Sequence, residues 1–248
     1  KRFGEKDAVE IVMQVAEALQ HAHAKGLIHR DVKPKNVIIT REGVAKLADM
    51  GLARAVSDKE MAEAEVGKAF GTPYYISPEQ IRGEKNIGPQ ADIYSLGATL
   101  YHMVTGSVPF EGKNPSAVMH KHLKAELVPP DHVNPKLSAG ISEVIEMMMA
   151  KEPAKRYKNC RDLLGDLRAV REGRQPPLAH KDMMDSAALA RLAAAEASAT
   201  PMGEIPANAA TGGASEDGIL SQPLFIVLLI SLGLSVAGNV FLLLTRGG

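Results

Sequence analysis

The sequence predicts a mainly α-helical domain with one small β-hairpin, followed by a linker and an apolar terminal helix. Three observations predict this. Apolar residues recur every three to four positions in five separate segments, the period of helices with one buried face. Two short runs suited to strands flank Arg41-Glu42-Gly43, a hairpin signal. Leu224 to Leu244 holds 21 residues without a charge, close to the ~20 that cross a bilayer core as a helix.

The first helix is expected over Asp7 to Lys25, with Ile11, Val12, Val15, Ala18, Leu19 and Ala22 on its buried face. Asp7 and Glu10 are candidates to cap its start, and Gly26 suits its end. Leu27 onward reads as a loop rich in charge, leading into the strand Val37 to Thr40 and its partner Ala45 to Ala48. A polar stretch from Gly51 to Glu79 has little periodicity, and a loop of that length in a compact domain is usually functional or mobile. Further helices are expected at Ala91 to Thr105, Ser116 to Leu127, Ser138 to Met149 and Cys160 to Arg171, with prolines 109, 115, 129, 130, 135 and 153 between them.

Beyond Arg171 the composition turns to Gly, Pro and Ala. Residues 173–222 read as a flexible, Ala-rich linker containing a lone helix from Asp185 to Ala199. Residues 223–245 read as a single transmembrane helix. Its Gly233 and Ala237 make a small-xxx-small pair, and Asn239 is a polar group in an apolar span; both suit pairing of two copies, so a homodimer is a candidate assembly. Arg246 alone is too little to set the orientation of the span.

With 29 basic and 29 acidic side chains, no electrostatic case exists for a nucleic-acid partner. The single cysteine, Cys160, has no partner within the chain for a disulfide and fits a reducing compartment. His21, His23 and His29 invite a metal reading, but a two-residue spacing on a helix points to different faces, so they are read as structural or solvent-facing.

The residues that carry chemistry are His29-Arg30-Asp31-Val32-Lys33-Pro34-Lys35-Asn36 and, past the hairpin, Asp49-Met50-Gly51. This ordered set resembles the catalytic loop and the metal-binding motif of the protein kinase family. Gly71 to Glu79 resembles the end of a kinase activation segment, with Ser77 where the family has alanine. The resemblance implies an α+β protein-kinase-like fold of which residues 1–172 are the helical C-lobe. The family's Gly-rich loop, strand lysine and helix glutamate have no counterpart in the chain, so it is expected to be an N-terminally truncated fragment without the N-lobe, inactive alone.

The resemblance also assigns roles. It implies Asp31 as the group that accepts the substrate hydroxyl's proton, Lys33 as the cation facing the transferred phosphate, and Asn36 and Asp49 as ligands of Mg2+ bound with ATP. Lysine at position 33 looks like serine/threonine kinases. Thr72 would position substrate; His29 and Arg30 would be structural or regulatory; Glu79 would pair with Arg156; and Asp92 would anchor the catalytic-loop backbone. Lys35 suggests acidic or neutral target sites. Arg30 implies a phosphate or a carboxylate opposite it, for which Glu63 or Glu65 is the candidate stand-in, against the favoured reading of these acidic residues as a solvated loop. Met50 in place of the family's phenylalanine is expected to fill the same apolar slot.

The expected function is therefore a membrane-anchored serine/threonine kinase, single-pass with its kinase part cytoplasmic, acting on protein substrates. The rival is a membrane-tethered pseudokinase scaffold. An intact set of Asp31, Lys33, Asn36 and Asp49 speaks against the rival, because a scaffold has no use for all four.

Overall fold

A computed structural model describes residues 2–49, 54–55 and 73–198. Helix α1 runs Glu5–Ala24 and buries Ala8, Val9, Ile11, Val12, Val15, Ala16 and Leu19; of the six residues its periodicity places on the buried face, Ile11, Val12, Val15 and Leu19 are there, whereas Ala18 is exposed and Ala22 half-buried. It opens on Gly4 without a side-chain cap. Neither acidic candidate caps it: Asp7 lies in the first turn, where its charge suits the helix dipole, and Glu10 lies further in, 3.2 Å from Arg171. Gly26 closes the helix at φ +73°, its N–H donating to the His23 carbonyl, a conformation that favours glycine.

The chain then makes strand β1, Leu27–Ile28, and, after a 3-10 turn at Pro34–Asn36, the hairpin strands β2, Val37–Ile39, and β3, Ala45–Leu47. Strand β4, Arg54–Ala55, pairs antiparallel with β1. In the hairpin Val37 faces Leu47 and Ile39 faces Ala45. Gln14 of α1 holds it from below, its side-chain oxygen accepting from the Ala45 N–H at 2.7 Å.

A second 3-10 turn, Pro73–Tyr75, leads to the short helix α2, Pro78–Ile81, and then to α3, Pro89–Thr105. Helix α3 is buried almost all round, from Ala91 through Leu100, as the central helix of a domain should be. Helices α4, Pro115–Lys124; α5, Pro130–Val133; α6, Ala139–Met148; and α7, Cys160–Arg171, follow. Helix α1 packs on α3 and α7, and α6 packs on α3 and α7; their side chains form one continuous core with Tyr94, Leu96, Leu100, Ile145 and Leu163. At Gly97 a Cβ would come within 2.7 Å of Met148 Cβ, so glycine is what lets α3 and α6 approach there.

Prolines 34, 73, 78, 89, 115, 130, 153 and 177 each open a helix or 3-10 turn. They lie at the first position, where a missing N–H costs nothing, rather than only between elements. The final described helix, α8, is Pro177–Ser198 and starts about two turns before the expected Asp185. Its first turn is held by Asp166 of α7, which accepts from the Leu178 N–H at 3.1 Å and the Ala179 N–H at 2.8 Å; Ala179 is buried. His180 adds a 3.1 Å contact to Glu143. Cys160 is buried, and burial foremost, with the Asp92 charge, pushes its thiol up to about 12, which keeps it an inert thiol.

No helix among the described residues is long and apolar enough to cross a membrane. The expected span at 223–245, with Gly233, Ala237 and Asn239, lies outside the described residues, as do Met50, Glu63, Glu65 and Thr72.

Candidate active site

The site is built around one buried carboxylate. Asp92, in the first turn of α3 and fully buried, accepts from the His29 N–H and the Arg30 N–H, both at 2.8 Å. Arg30 has φ +66°, and a left-handed residue turns consecutive amides toward one anion. The third contact on Asp92 is His23 Nε2 at 2.8 Å. Three donors offset the cost of taking the charge out of water. The strain at Arg30 is maintained by them.

His29 is buried and bridges two parts of the site. Its Nδ1 accepts from the Asp31 N–H at 3.3 Å, and its Nε2 lies 3.2 Å from the Ala48 carbonyl. That pair of partners calls for the tautomer with the proton on Nε2. The ring thus ties the loop to the residue just before Asp49.

Asp31 receives two side chains from its own loop. Lys33 Nζ lies 2.6 Å from Asp31 Oδ2, with both groups partly exposed. Asn36 Nδ2 donates to the Asp31 carbonyl at 2.8 Å and to Asp31 Oδ2 at 3.0 Å. Asn36 is brought there by the 3-10 turn Pro34–Asn36, whose cap is Lys33.

The hairpin register does the rest. The Ala48 N–H donates to the Asn36 carbonyl at 2.8 Å, extending the ladder by one rung past Val37 and Leu47. Asp49 is therefore the next residue after the position facing Asn36. It is exposed and has φ +64°. Among the described residues, Arg30 and Asp49 are the two non-glycine positions with positive φ, and such backbone persists where surroundings over-determine it, often at functional sites.

Glu79 and Arg156 meet below the activation-segment end. The guanidinium donates to Glu79 Oε1 at 2.7 Å and Oε2 at 2.9 Å, and to the carbonyls of Ala150, Gln90 and Lys151. All five N–H groups are thereby used, and the guanidinium carbon sits 4.8 Å from the centre of the Tyr94 ring. Both charged groups are almost fully buried.

The structure brings His29, Arg30, Asp31, Lys33, Asn36, Asp49 and Asp92 into one site and places Glu79 and Arg156 together beside it. Three contributors carry no signal that sequence reading used. His23 was read as structural or solvent-facing, and its bond to Asp92 joins residues 69 apart. Gln80 Nε2 donates to the Arg30 carbonyl at 2.8 Å while its Oε1 accepts from the Ser77 N–H and hydroxyl; the Ser-x-x-Gln spacing of a capping box would have marked the helix start, not the contact with Arg30. Tyr94 lies on a helix that reads as core.

Residues 1–166 match the family model described as protein kinase domain. The chain belongs to the protein kinase family. Its relatives include a Clostridium perfringens protein named probable serine/threonine-protein kinase, 37% identical over 72% of this chain and 26% of its own length. Serine/threonine-protein kinase PknB of Mycobacterium tuberculosis is 37% identical over 73% of this chain and 29% of its own; its namesake in Mycolicibacterium smegmatis is 38% identical over 75% and 30%. The chain thus spans between 26% and 30% of the length of these curated relatives. In this kinase-family chain the described site consists of a rigid loop, a hairpin and the helix end that anchors them.

Proposed function

We propose that the protein is a serine/threonine kinase that transfers the γ-phosphate of ATP to hydroxyls of protein substrates, and that it acts from the cytoplasmic face of a membrane it crosses once. The observation that carries the reading is the cluster on Asp31: Lys33 at 2.6 Å, Asn36 at 3.0 Å and Asp49 one residue past the rung that faces Asn36.

Phosphoryl transfer needs an oriented hydroxyl and neutralised phosphate oxygens more than covalent help. Asp31 takes the proton of the substrate hydroxyl as its oxygen bonds to the γ-phosphorus and the bond to the β-phosphate oxygen breaks, releasing ADP. Lys33, held beside that carboxylate, presents its ammonium to the transferred group. With Asn36 Nδ2 engaged by Asp31, its amide oxygen is the atom left for a cation, and Asp49 supplies a carboxylate across the rung. Two hard oxygen side chains fit Mg2+, which takes one or two protein ligands and completes its shell with phosphates and water. When bound, the ion would neutralise phosphate charge. Asp92 and His29 act through the loop, fixing where Asp31 stands. Ile38 and Val44, exposed on the hairpin, offer an apolar surface for a nucleotide base. The membrane reading rests on the uncharged run Leu224 to Leu244.

The test uses the natural protein with radiolabelled ATP, magnesium and dephosphorylated casein, followed by analysis of the labelled residues. Label on serine and threonine is expected. No transfer under varied metals and acceptors would favour a tethered scaffold. Deleting 224–244 should move the protein from the membrane fraction to the soluble one; retention in the membrane would refute the span.

A further inference from the structure

A cleft of about 430 Å3 lies between the first turns of α1, the start of α6 and the chain that leaves α7. That is the size of a small-molecule site. It is remote from the catalytic loop, because Lys6 in the cleft and His23 at Asp92 sit at opposite ends of α1, roughly 25 Å apart along its axis.

The walls are fixed by the backbone. Gly173 has φ +72°. Its N–H donates to the Val170 carbonyl at 2.9 Å and the Arg174 N–H to the Ala169 carbonyl at 2.8 Å, a pair of bonds that ends a helix in one defined turn. A Cβ at Gly140 would come within 3.2 Å of Pro176 Cδ, so glycine lets α6 and the chain after α7 lie against each other. Val9 and Val170, both buried, supply the apolar lining.

Three cations line the cleft against two carboxylates, and the carboxylates are engaged. Glu5 accepts from the Ser138 N–H at 2.8 Å and from its hydroxyl at 2.7 Å. Glu172 accepts from Arg174 Nε at 3.0 Å. Lys6, by contrast, is exposed and has neither a hydrogen bond nor an ion pair among the described residues. Arg171 reaches Glu10 through Nη1 alone, and Arg174 reaches Glu172 through Nε and Nη2, so each guanidinium keeps N–H groups to spare. What the lining leaves over is therefore donors on two separate elements, α1 and the chain after α7, together with two valines.

We propose that this cleft binds a small aliphatic dicarboxylate, with one carboxylate on Lys6, the other on Arg174, and the methylenes against Val9 and Val170. The planar guanidinium suits a carboxylate in particular, and walls already fixed lower the cost of ordering a site around a ligand. A gap left by imperfect packing would show no preference between an acid and its amide. The proposal does not depend on the kinase reading.

The test titrates the natural protein with adipate by calorimetry at low salt, where exposed charges are least screened. Adipate should bind at least about tenfold more tightly than adipamide, its neutral counterpart, and than hexanoate, which has a single carboxylate. Lys6→Gln and Arg174→Gln should each weaken adipate about tenfold, the loss of one charge-assisted contact, whereas Lys6→Arg should retain it. Both side chains are exposed, so these variants keep the fold. Hydrogen exchange read by mass spectrometry gives the place: adipate should slow the amides from Val170 to Gln175 and leave those of His29 and Arg30 unchanged. Neither heat nor slowed exchange with adipate would overturn the proposal. Equal affinity for adipate and adipamide would overturn it too, as would binding that neither glutamine substitution weakens.

Discussion

Two aspartates in this chain do the same chemistry for different ends. Asp92 and Asp166 are both almost fully buried. Each accepts two consecutive backbone N–H groups and one side chain: His29, Arg30 and His23 for Asp92; Leu178, Ala179 and Tyr157 for Asp166. Asp92 gathers the loop that carries Asp31. Asp166 caps the first turn of α8 from a neighbouring helix, satisfying N–H groups that a helix start leaves without partners. A buried carboxylate is thus a general tether, and only what hangs from it makes it part of an active site.

The comparison can be broken at either end. Asp92→Ala should have the largest effect, about 3–5 kcal/mol of unfolding free energy, because it leaves buried N–H donors of a strained loop without an acceptor. Urea unfolding measures it, and native-state amide exchange should show the His29 and Arg30 amides losing protection. An unchanged urea midpoint would mean that the carboxylate does not hold the loop.

A proton sharpens it next. Burial foremost, then the Lys151 charge, push His122 down to about 4 from its ordinary 6.5. The value in the fold is the lower one, so the stability tied to this site is complete above pH about 6.5 and is lost as pH falls toward 4, by roughly 3 kcal/mol in all. Urea midpoints measured across that window should decline, and His122→Gln should flatten the decline. An equal slope in both proteins would place the acid sensitivity elsewhere.

Asp166→Ala is the smaller perturbation, about 1–3 kcal/mol. Its signature is locality: the amides of Leu178 and Ala179 should exchange faster while those of His29 and Arg30 keep their protection. Loss of protection at both places would show that the two tethers belong to one cooperative unit.

The two aspartates also divide what could be read from the sequence. Asp92 was legible because it belongs to an ordered set that begins at His29 and ends at Arg156, each at its place in a known pattern. Asp166 was not, since an aspartate in Leu163-Leu164-Gly165-Asp166-Leu167 looks like any polar position of an amphipathic helix. The cap it supplies comes from another helix, so the start of α8 was placed too late. Long helices were read well, α7 at Cys160 to Arg171 in both sequence and structure, because burial of one face imposes the 3.6-residue period. Four-residue helices such as Pro78–Ile81 and Pro130–Val133 are too short to show a period, and the β1–β4 pair joins residues too far apart for local pattern. His23 and Gln80 act through contacts with distant residues, which side-chain type alone does not announce.

The central claim is that Asp31, held by this scaffold, carries the chemistry. Asp31→Asn in the natural protein is the direct test, because the amide keeps the size of the carboxylate and Asp31 is only partly buried. The account predicts an unfolding free energy, from urea titration, changed by no more than about 1 kcal/mol together with phosphate transfer to casein reduced at least about a hundredfold. Transfer at an undiminished rate by a folded Asp31→Asn protein would contradict it.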